Sequence, residues 1–401
     1  MSFKSNSESK STAMKLNALC HCITLDRDLL SQVLADETAD TALAALVLER
    51  ASAMFSNVAV FALSSVLSQM TEVIEAIVRV TQTPLYQKEV LERAPLWARL
   101  DHGPAGVFMG FDFHVGHDGP QLIEINTNAG GAFLNAALRR AHQECCSRMD
   151  SHAGNLGGRS FEPAVLKMFE REWRSQRKSG RLGRIAIVDD QPQNQALYPE
   201  FLLAQSLFRR NGIEAVIAGP DELILDSGKL LISGEPIDLV YNRLVDFQLS
   251  AEQHQVLRLG YEMGAAVITP NPRNHALYAD KRNLVLLSDA ARLRDWGVDS
   301  RDLEILSKAI PRAQEVTPTN ADRIWRDRKK SFFKPFAGYA SKAVYRGDKV
   351  TSARWAEIRT GGYIAQEFAE PGERMVVLDG ELLARKVDFR LYAYEVDTLL
   401  T

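Results

Sequence analysis

"LIEINTNAGG", residues 122–131, alternates apolar and polar side chains and then runs into small residues. Successive strand side chains point to opposite faces, so Leu122, Glu124 and Asn126 are expected on one side and Ile123 and Ile125 on the other. Two oxygen-bearing groups then converge on one surface. Just upstream, "GVFMGFDFHV" and "PQLIEIN" flank "GHDG", whose Asp118-Gly119 suits the positive backbone angles of a tight turn. This pattern predicts a β-hairpin ending at Asn126. His114 and His117 flank the turn and read as turn residues rather than catalytic bases.

The rest of the chain sets the frame for that hairpin. With 401 residues, 46% of them hydrophobic, it can bury a substantial core and form two or three domains. Lys and Arg number 48 against 51 Asp and Glu, a net charge of -3. That balance gives no electrostatic case for nucleic acid or an anionic membrane as partner. The opening "MSFKSNSESKSTAMK" is polar and Ser-rich, and reads as a disordered tail rather than a signal peptide. The longest apolar stretch, "VAVFALSSVL", is too short to span a bilayer. Four cysteines do not make a disulfide scaffold, which points to a reducing, cytoplasmic compartment. Cys20 and Cys22 flank His21 without a second ligand cluster, and the neighbours Cys145 and Cys146 read as ordinary thiols on a helix.

Hydrophobic periodicity divides the chain. Residues 39–82 have helical spacing. The charged, Gly-punctuated "EREWRSQRKSGRLGR" (170–184) reads as a linker, with a boundary near Arg181. Beyond it, "RIAIVDD", "IEAVIAGP", "DLVYNR" and "AAVITPN" alternate with helical segments, the pattern of a small α/β module with a parallel sheet. Asp189 and Asp190 end its first strand. From Asn271, "HALYADKRNLVLLSD" reads as one helix, "SFFKPF" as a strand, and "RMVVLDGELLARKVDFRLYAYEV" as antiparallel strands around an Asp379-Gly380 turn.

A Lys at a strand end, a Gly and Ser loop with a second Lys, and an acid-amide pair on another strand are what a nucleoside triphosphate with magnesium requires. Lysine is a compact charge for phosphate oxygens, a Gly-rich loop lets backbone N–H groups approach them, and hard oxygens suit magnesium. No Walker pattern is present. Together "EINTNAGG", "ADKRN", "FFKPFAGYASKAVYRG", "YIAQEF" and "DFR" resemble the ATP-grasp superfamily in the circularly permuted arrangement of eukaryotic-type glutathione synthetase. The E-x-N motif precedes both the lysine motifs and the α/β module, and that order marks the permutation.

The resemblance implies an α/β chain of the α+β ATP-grasp type. Residues 1–18 would be a disordered tail, 19–180 a helical region plus the E-x-N hairpin, 181–270 the parallel-sheet module, and 271–401 the antiparallel nucleotide-binding subdomain. It implies ATP and magnesium as cofactors. Glu124 and Asn126 would hold the metal, and Lys281 and Lys334 would contact phosphate or adenine-side atoms. Ser341 and Lys342 would lie in a mobile loop between Gly338 and Gly347, Lys342 acting in turnover. Gln366, Glu367 and Phe368 would form the adenine hinge. Asp388 would supply the third metal ligand, because Gly338 stands where the family has a metal-binding Glu, and Arg390 would meet the transferring phosphoryl. Tyr241 and Arg243 would bind substrate, Arg243 through a carboxylate.

Plainer readings compete with these. Glu124 and Asn126 could form a solvated strand face, Lys281 an exposed helix position, Asp388 and Arg390 a surface ion pair, and "YNR" a polar strand end. The chain ends soon after "DFR", where the resembled proteins continue, so it is expected to be shortened and to leave the Arg390 strand without its usual neighbours. The implied activity is ligation of small-molecule carboxylate and amine substrates through an acyl phosphate. A nucleotide-binding protein without turnover and a small-molecule kinase are the alternatives.

Overall fold

A computed structural model describes residues 13–117, 119–142, 161–336 and 343–401. Residues 13–19 form α1, followed by α2 (Arg27–Thr38), α3 (Thr41–Ala51), α4 (Ser64–Thr81) and α5 (Pro84–Glu92). Asp26 and Asp40 cap α2 and α3 by accepting backbone N–H groups of their first turns. On α4, Val66, Met70, Val73, Ile74, Ile77 and Val80 recur at helical spacing and are all buried. Each contributes about 1.5–3 kcal/mol through burial. Against the expectation of a disordered tail to residue 18, α1 is ordered and held: the Asn17 side chain donates to the Phe61 carbonyl and accepts its N–H, both at 2.9 Å. Residues 1–12 of that tail lie outside the described residues.

The hairpin follows as β1 (Met109–Gly116) and β2 (Gly119–Asn126), then α6 (Ala132–Ala141) and α7 (Phe161–Gln176). Asp118 of the turn, Cys145 and Cys146 lie outside the described residues. His114 belongs to β1 rather than to the turn. The stretch read as a linker from residue 170 is helical through Gln176.

The parallel module consists of β3 (Arg184–Val188), α8 (Tyr198–Arg210), β4 (Glu214–Ala218), a small antiparallel sheet of β5 (Ile224–Asp226), β6 (Lys229–Ile232) and β7 (Glu235–Pro236), then β8 (Leu239–Asn242), α9 (Gln255–Glu262) and β9 (Val267–Thr269). Its strand order is β4-β3-β8-β9. The chain leaves β3 toward one edge for β4 and later returns on the other side for β8, so a topological switch point lies between the ends of β3 and β8.

Next come α10 (Pro272–Asn274), a π-helical turn (His275–Ala279), α11 (Arg282–Leu287), α12 (Ala290–Asp295) and α13 (Ser300–Ala309). The single helix expected from residue 275 onward is broken at Asp280, whose backbone turns extended. The Asp280 carboxylate accepts from the Arg282 N–H at 2.9 Å and from its Nε at 3.0 Å. A short polar side chain has competed with the helix for its own neighbours' donors.

The last segment builds two antiparallel sheets. β10 (Ala313–Glu315), α14 (Ala321–Asp327), β11 (Ser331–Pro335), β12 (Tyr345–Arg346), α15 (Ser352–Ile358) and β13 (Tyr363–Glu367) give the order β10-β13-β11-β12. β14 (Gly372–Leu378) and β15 (Glu381–Val387) form the hairpin expected at Asp379-Gly380, both residues having positive φ. Then β16 (Phe389–Tyr394) and β17 (Asp397–Leu400) return to the first hairpin in the order β17-β16-β1-β2. β16 is therefore paired on both sides, not the unsupported edge expected of a shortened chain.

Glu172, fully buried on α7, ties this sheet to the parallel module. It accepts from the Ala105 N–H at 2.8 Å, the Gly106 N–H at 3.0 Å, the Tyr394 hydroxyl of β16 at 3.0 Å and the Thr269 hydroxyl of β9. Burial raises its pKa, and these four donors oppose the shift.

Candidate active site

The site is built on one irregularity in the hairpin. The β1–β2 register runs Asp112 opposite Glu124 but Phe113 opposite Leu122, so Ile123 is an extra residue. Such a bulge shifts the alternation by one. Leu122 consequently faces the core beside Phe113 and Ile125, instead of sharing a side with Glu124 and Asn126 as simple alternation predicts. Glu124 and Asn126 do share a face. The bulge also releases the Ile123 carbonyl from the ladder, and Lys334 Nζ donates to it at 2.6 Å.

Three strands then place a row of charge across the sheet, because Asp112 lies opposite both Glu124 and Arg390. Arg390 holds Asp112 in a two-point fork, Nε to Oδ1 at 2.6 Å and Nη2 to Oδ2 at 2.7 Å. Asn126 Nδ2 donates to Asp112 Oδ2 at 3.0 Å. With its amide nitrogen committed to a carboxylate, Asn126 has its Oδ1 left to offer a cation. Gly110 gives the row room: a Cβ there would sit 2.6 Å from that of Ala129 and 3.4 Å from Arg390 Cδ. Burial pushes the Asp112 carboxyl up and the Arg390 fork opposes it.

Two lysines reach this row from other segments. Lys281, at the start of α11, places Nζ 3.1 Å from Glu124 Oε1. Lys334, on β11, is buried, and burial pulls its ammonium down to about 8 against the attraction of Glu124. On the same face of that sheet, Gln366 is buried with an Nε2 that has no hydrogen-bond partner. The N–H groups of Glu367 and Phe368 donate to the carbonyls of Arg312 and Lys330, each at 2.8 Å. Phe368 stacks on Phe332 with centroids 5.6 Å apart.

Other expected residues fall elsewhere. Asp388 is 60% exposed and pairs with His114 Nε2 at 2.9 Å, which holds its carboxyl below the usual range. Its charge acts, together with that of Glu124, on Asp112 and Lys334. Gly347 is buried, and a Cβ there would lie 1.8 Å from the Arg328 carbonyl, so it serves close packing rather than loop mobility. Gly338, Ser341 and Lys342 lie outside the described residues.

Tyr241 and Arg243 sit at the switch point of the parallel module, next to Gly130, whose carbonyl accepts from the Tyr392 hydroxyl of β16 at 2.7 Å and where a Cβ would lie 3.1 Å from Arg243 Nη2. Arg243 is buried and donates Nη1 to the Tyr241 hydroxyl at 3.1 Å, while its Nε has no partner. Asn128 Oδ1, just beyond the E-x-N motif, is likewise buried without one. Glu200 on α8 is buried near Arg243 and accepts the Gly131 N–H at the start of α6. Asp189, at the end of β3, is raised by burial to about 6, with Arg243 opposing.

Among solved structures, the chain is similar to the glutathione synthetase-like effector of Globodera pallida in its apo form. The match has a TM-score of 0.53 at 14% identity and covers 88% of this chain and 84% of that one. This chain has a glutathione synthetase-like fold. A putative gamma-glutamylcysteine synthetase from Methylobacillus flagellatus KT matches at a TM-score of 0.42, with 9% identity over 76% of this chain and 74% of its own. The ATP-grasp ligase PsnB, complexed with a minimal precursor, Mg and ADP, matches at 0.30, with 18% identity over 51% and 72%. Neither a family model nor a curated protein sequence matches the chain.

Within this fold, the residue that sequence reasoning missed is Asp112. It lies twelve positions before Glu124, and only the register shows that they are opposite. The alternation in "FMGFDFHV" carries the one available signal, an acid in an otherwise apolar strand. Among the described residues there is no cluster of three or more His, Cys, Asp or Glu side chains suited to hold a metal unaided. No described helix is long and apolar enough to cross a membrane.

Proposed function

We propose that the chain is an ATP- and magnesium-dependent carboxylate-amine ligase. The observation that carries this reading is the row of Glu124, Asp112 and Arg390, with Asn126 beside it and Lys281 and Lys334 closing on it from two other segments. Hard oxygens from Glu124 and Asn126 fit magnesium, the two ammonium groups fit a triphosphate, and the unpartnered Gln366 Nε2 fits a purine acceptor. Magnesium held by Glu124 and Asn126 would neutralise phosphate charge.

In this reading the resting contacts are replaced as a set. Glu124 is neutralised by Lys281, so taking Glu124 for a cation strands Lys281, and taking Lys281 for phosphate strands Glu124. Metal and nucleotide together satisfy both. Asp112 fixes Arg390 and Asn126 in place, and so orients the guanidinium that would meet the transferring phosphoryl. Lys342 would join when the site closes.

The acid substrate belongs at the switch point, its carboxylate meeting Arg243 Nε with Tyr241 fixing the guanidinium. Phosphoryl transfer to that carboxylate gives an acyl phosphate and ADP. An amine then attacks the acyl carbon and phosphate leaves, giving an amide. Incubating the chain with magnesium ATP and pooled carboxylates and amines, and following ADP and product masses, tests this. An amide product supports the ligase, a phosphorylated product makes it a kinase, and tight ATP binding without ADP release leaves a binding protein.

A further inference from the structure

The reverse face of the catalytic sheet holds a cavity of about 450 Å³, within the size range of small-molecule sites. Met109 and Phe111 of β1 form part of its floor, pointing away from the face that bears Gly110 and Asp112. Leu277 and Tyr278 of the π-helical turn and Val78 of α4 complete the apolar wall. Its polar mouth includes Gln82, Asp101, Arg273 and Glu395. None of these residues belongs to the site described above.

The chemistry of the lining selects one class of ligand. Arg273 is fully engaged: it pairs with Asp101 at 3.2 Å and donates to Gln87 Oε1 at 3.0 Å and to the Arg99 carbonyl at 3.3 Å. Glu395 pairs with Arg171, which stands outside the lining and also reaches Asp397 at 3.5 Å. The lining itself holds two carboxylates, Asp101 and Glu395, against the one guanidinium of Arg273, an excess of one negative charge. Behind it lie two aromatic rings and a thioether, surfaces that attract an organic cation. We propose that this cavity is a second binding site, for a small amphipathic cation with an aromatic or aliphatic body and an ammonium group.

An occupant would touch both arms of the nucleotide site. Phe111 directly precedes Asp112, and Tyr278 lies three residues before Lys281. Because those residues face away from the row of charge, binding there leaves the nucleotide face open and does not compete with magnesium ATP.

Calorimetric titration of the full chain with tryptamine and with indole-3-propionate, which share the ring and differ in charge, tests the site. Tryptamine should bind at least tenfold more tightly than the carboxylate. Its affinity should survive saturating magnesium ATP, fall about tenfold in Glu395→Gln, and be lost in Val78→Trp, which fills the cavity from its α4 wall. Equal binding of the two probes, tryptamine affinity unchanged in both variants, or competitive displacement by magnesium ATP would each overturn the proposal. Magnesium ATP binding by the variants, measured in parallel, separates a failed cavity from a misfolded chain. None of these readouts depends on ligase turnover.

Discussion

The row of charge on the β1–β2–β16 sheet and the switch point of the parallel module handle polarity in opposite ways. On the sheet, Lys334 rests on the Ile123 carbonyl, Lys281 on Glu124 and Arg390 on Asp112. At the switch point, Arg243 Nε and Asn128 Oδ1 are buried without partners. A buried polar atom without a partner costs roughly 1–3 kcal/mol, so folding has tolerated a penalty at the switch point that it avoided on the sheet. In the proposed function the sheet would exchange partners on binding, whereas the switch point would acquire them.

The largest expected effect tests the sheet. Replacing Arg390 with Met should lower turnover by roughly 100- to 1,000-fold, the scale for losing one charge-stabilising donor. It should also destabilise the fold by about 3 kcal/mol, because Asp112 is left buried and unpaired. Rapid-quench kinetics and urea unfolding read the two separately. Normal turnover in a folded variant would remove Arg390 from the chemistry.

The next variant addresses the opposite region. Arg243→Lys loses the fork geometry and should raise the apparent KM for the acid by tens of fold while leaving magnesium ATP affinity within about twofold. If nucleotide affinity falls in step with KM, the two regions are not separate.

Lys334→Ala should weaken ATP binding by about tenfold, one charge-assisted contact. Glu124→Gln should instead flatten the dependence of ATP affinity on magnesium, since its oxygen is assigned to the metal. Titrations with and without magnesium distinguish them. If each variant alters both quantities equally, the division of roles between lysine and carboxylate fails.

The smallest effect is a fraction of a proton. Because burial holds Lys334 near 8, the folded chain binds fewer protons than the unfolded one from about that pH up to the ordinary lysine range, and this group adds stability as pH rises through that window. Triphosphate binding favours the ammonium form, so it should take up a proton above pH 8 and weaken as pH rises. Binding enthalpies in two buffers of different ionisation heat should then diverge above pH 8. Identical enthalpies would mean that Lys334 keeps its charge state on binding.

What the sequence made legible follows from contiguity. Glu124 and Asn126 lie two residues apart in one strand, and their motif could be read directly. Asp112 could not be found that way, since its place depends on which residues pair across the hairpin. The bulge at Ile123 also defeated simple alternation for Leu122, because a bulge is a property of the pairing and not of one strand. The partner of Asp388 was hidden for a related reason: Phe389 lies opposite Phe113, which brings the preceding Asp388 to His114 in space. The parallel module was readable from its alternating strands and helices. The break at Asp280 was hidden inside an otherwise helical pattern, since one side chain bonding to Arg282 decides it.

Glu172 has a consequence for motion. Its carboxylate gathers donors from the 104–107 loop, β9 and β16, so separating the parallel module from the β17-β16-β1-β2 sheet would expose a buried acid and leave several donors unpaired. Those parts should therefore open and melt together as one cooperative block. The β10–β13 sheet stands outside these bonds and joins the block through apolar packing, Ala313 and Ile364 sharing a core with Phe111 and Ile125, and through the bond from Lys334 to the Ile123 carbonyl. In the proposed function any opening around a nucleotide would therefore fall to it. Hydrogen exchange should show this division as two tiers of protection: slow, matched exchange across β1, β9 and β16, and faster exchange across β11 and β13.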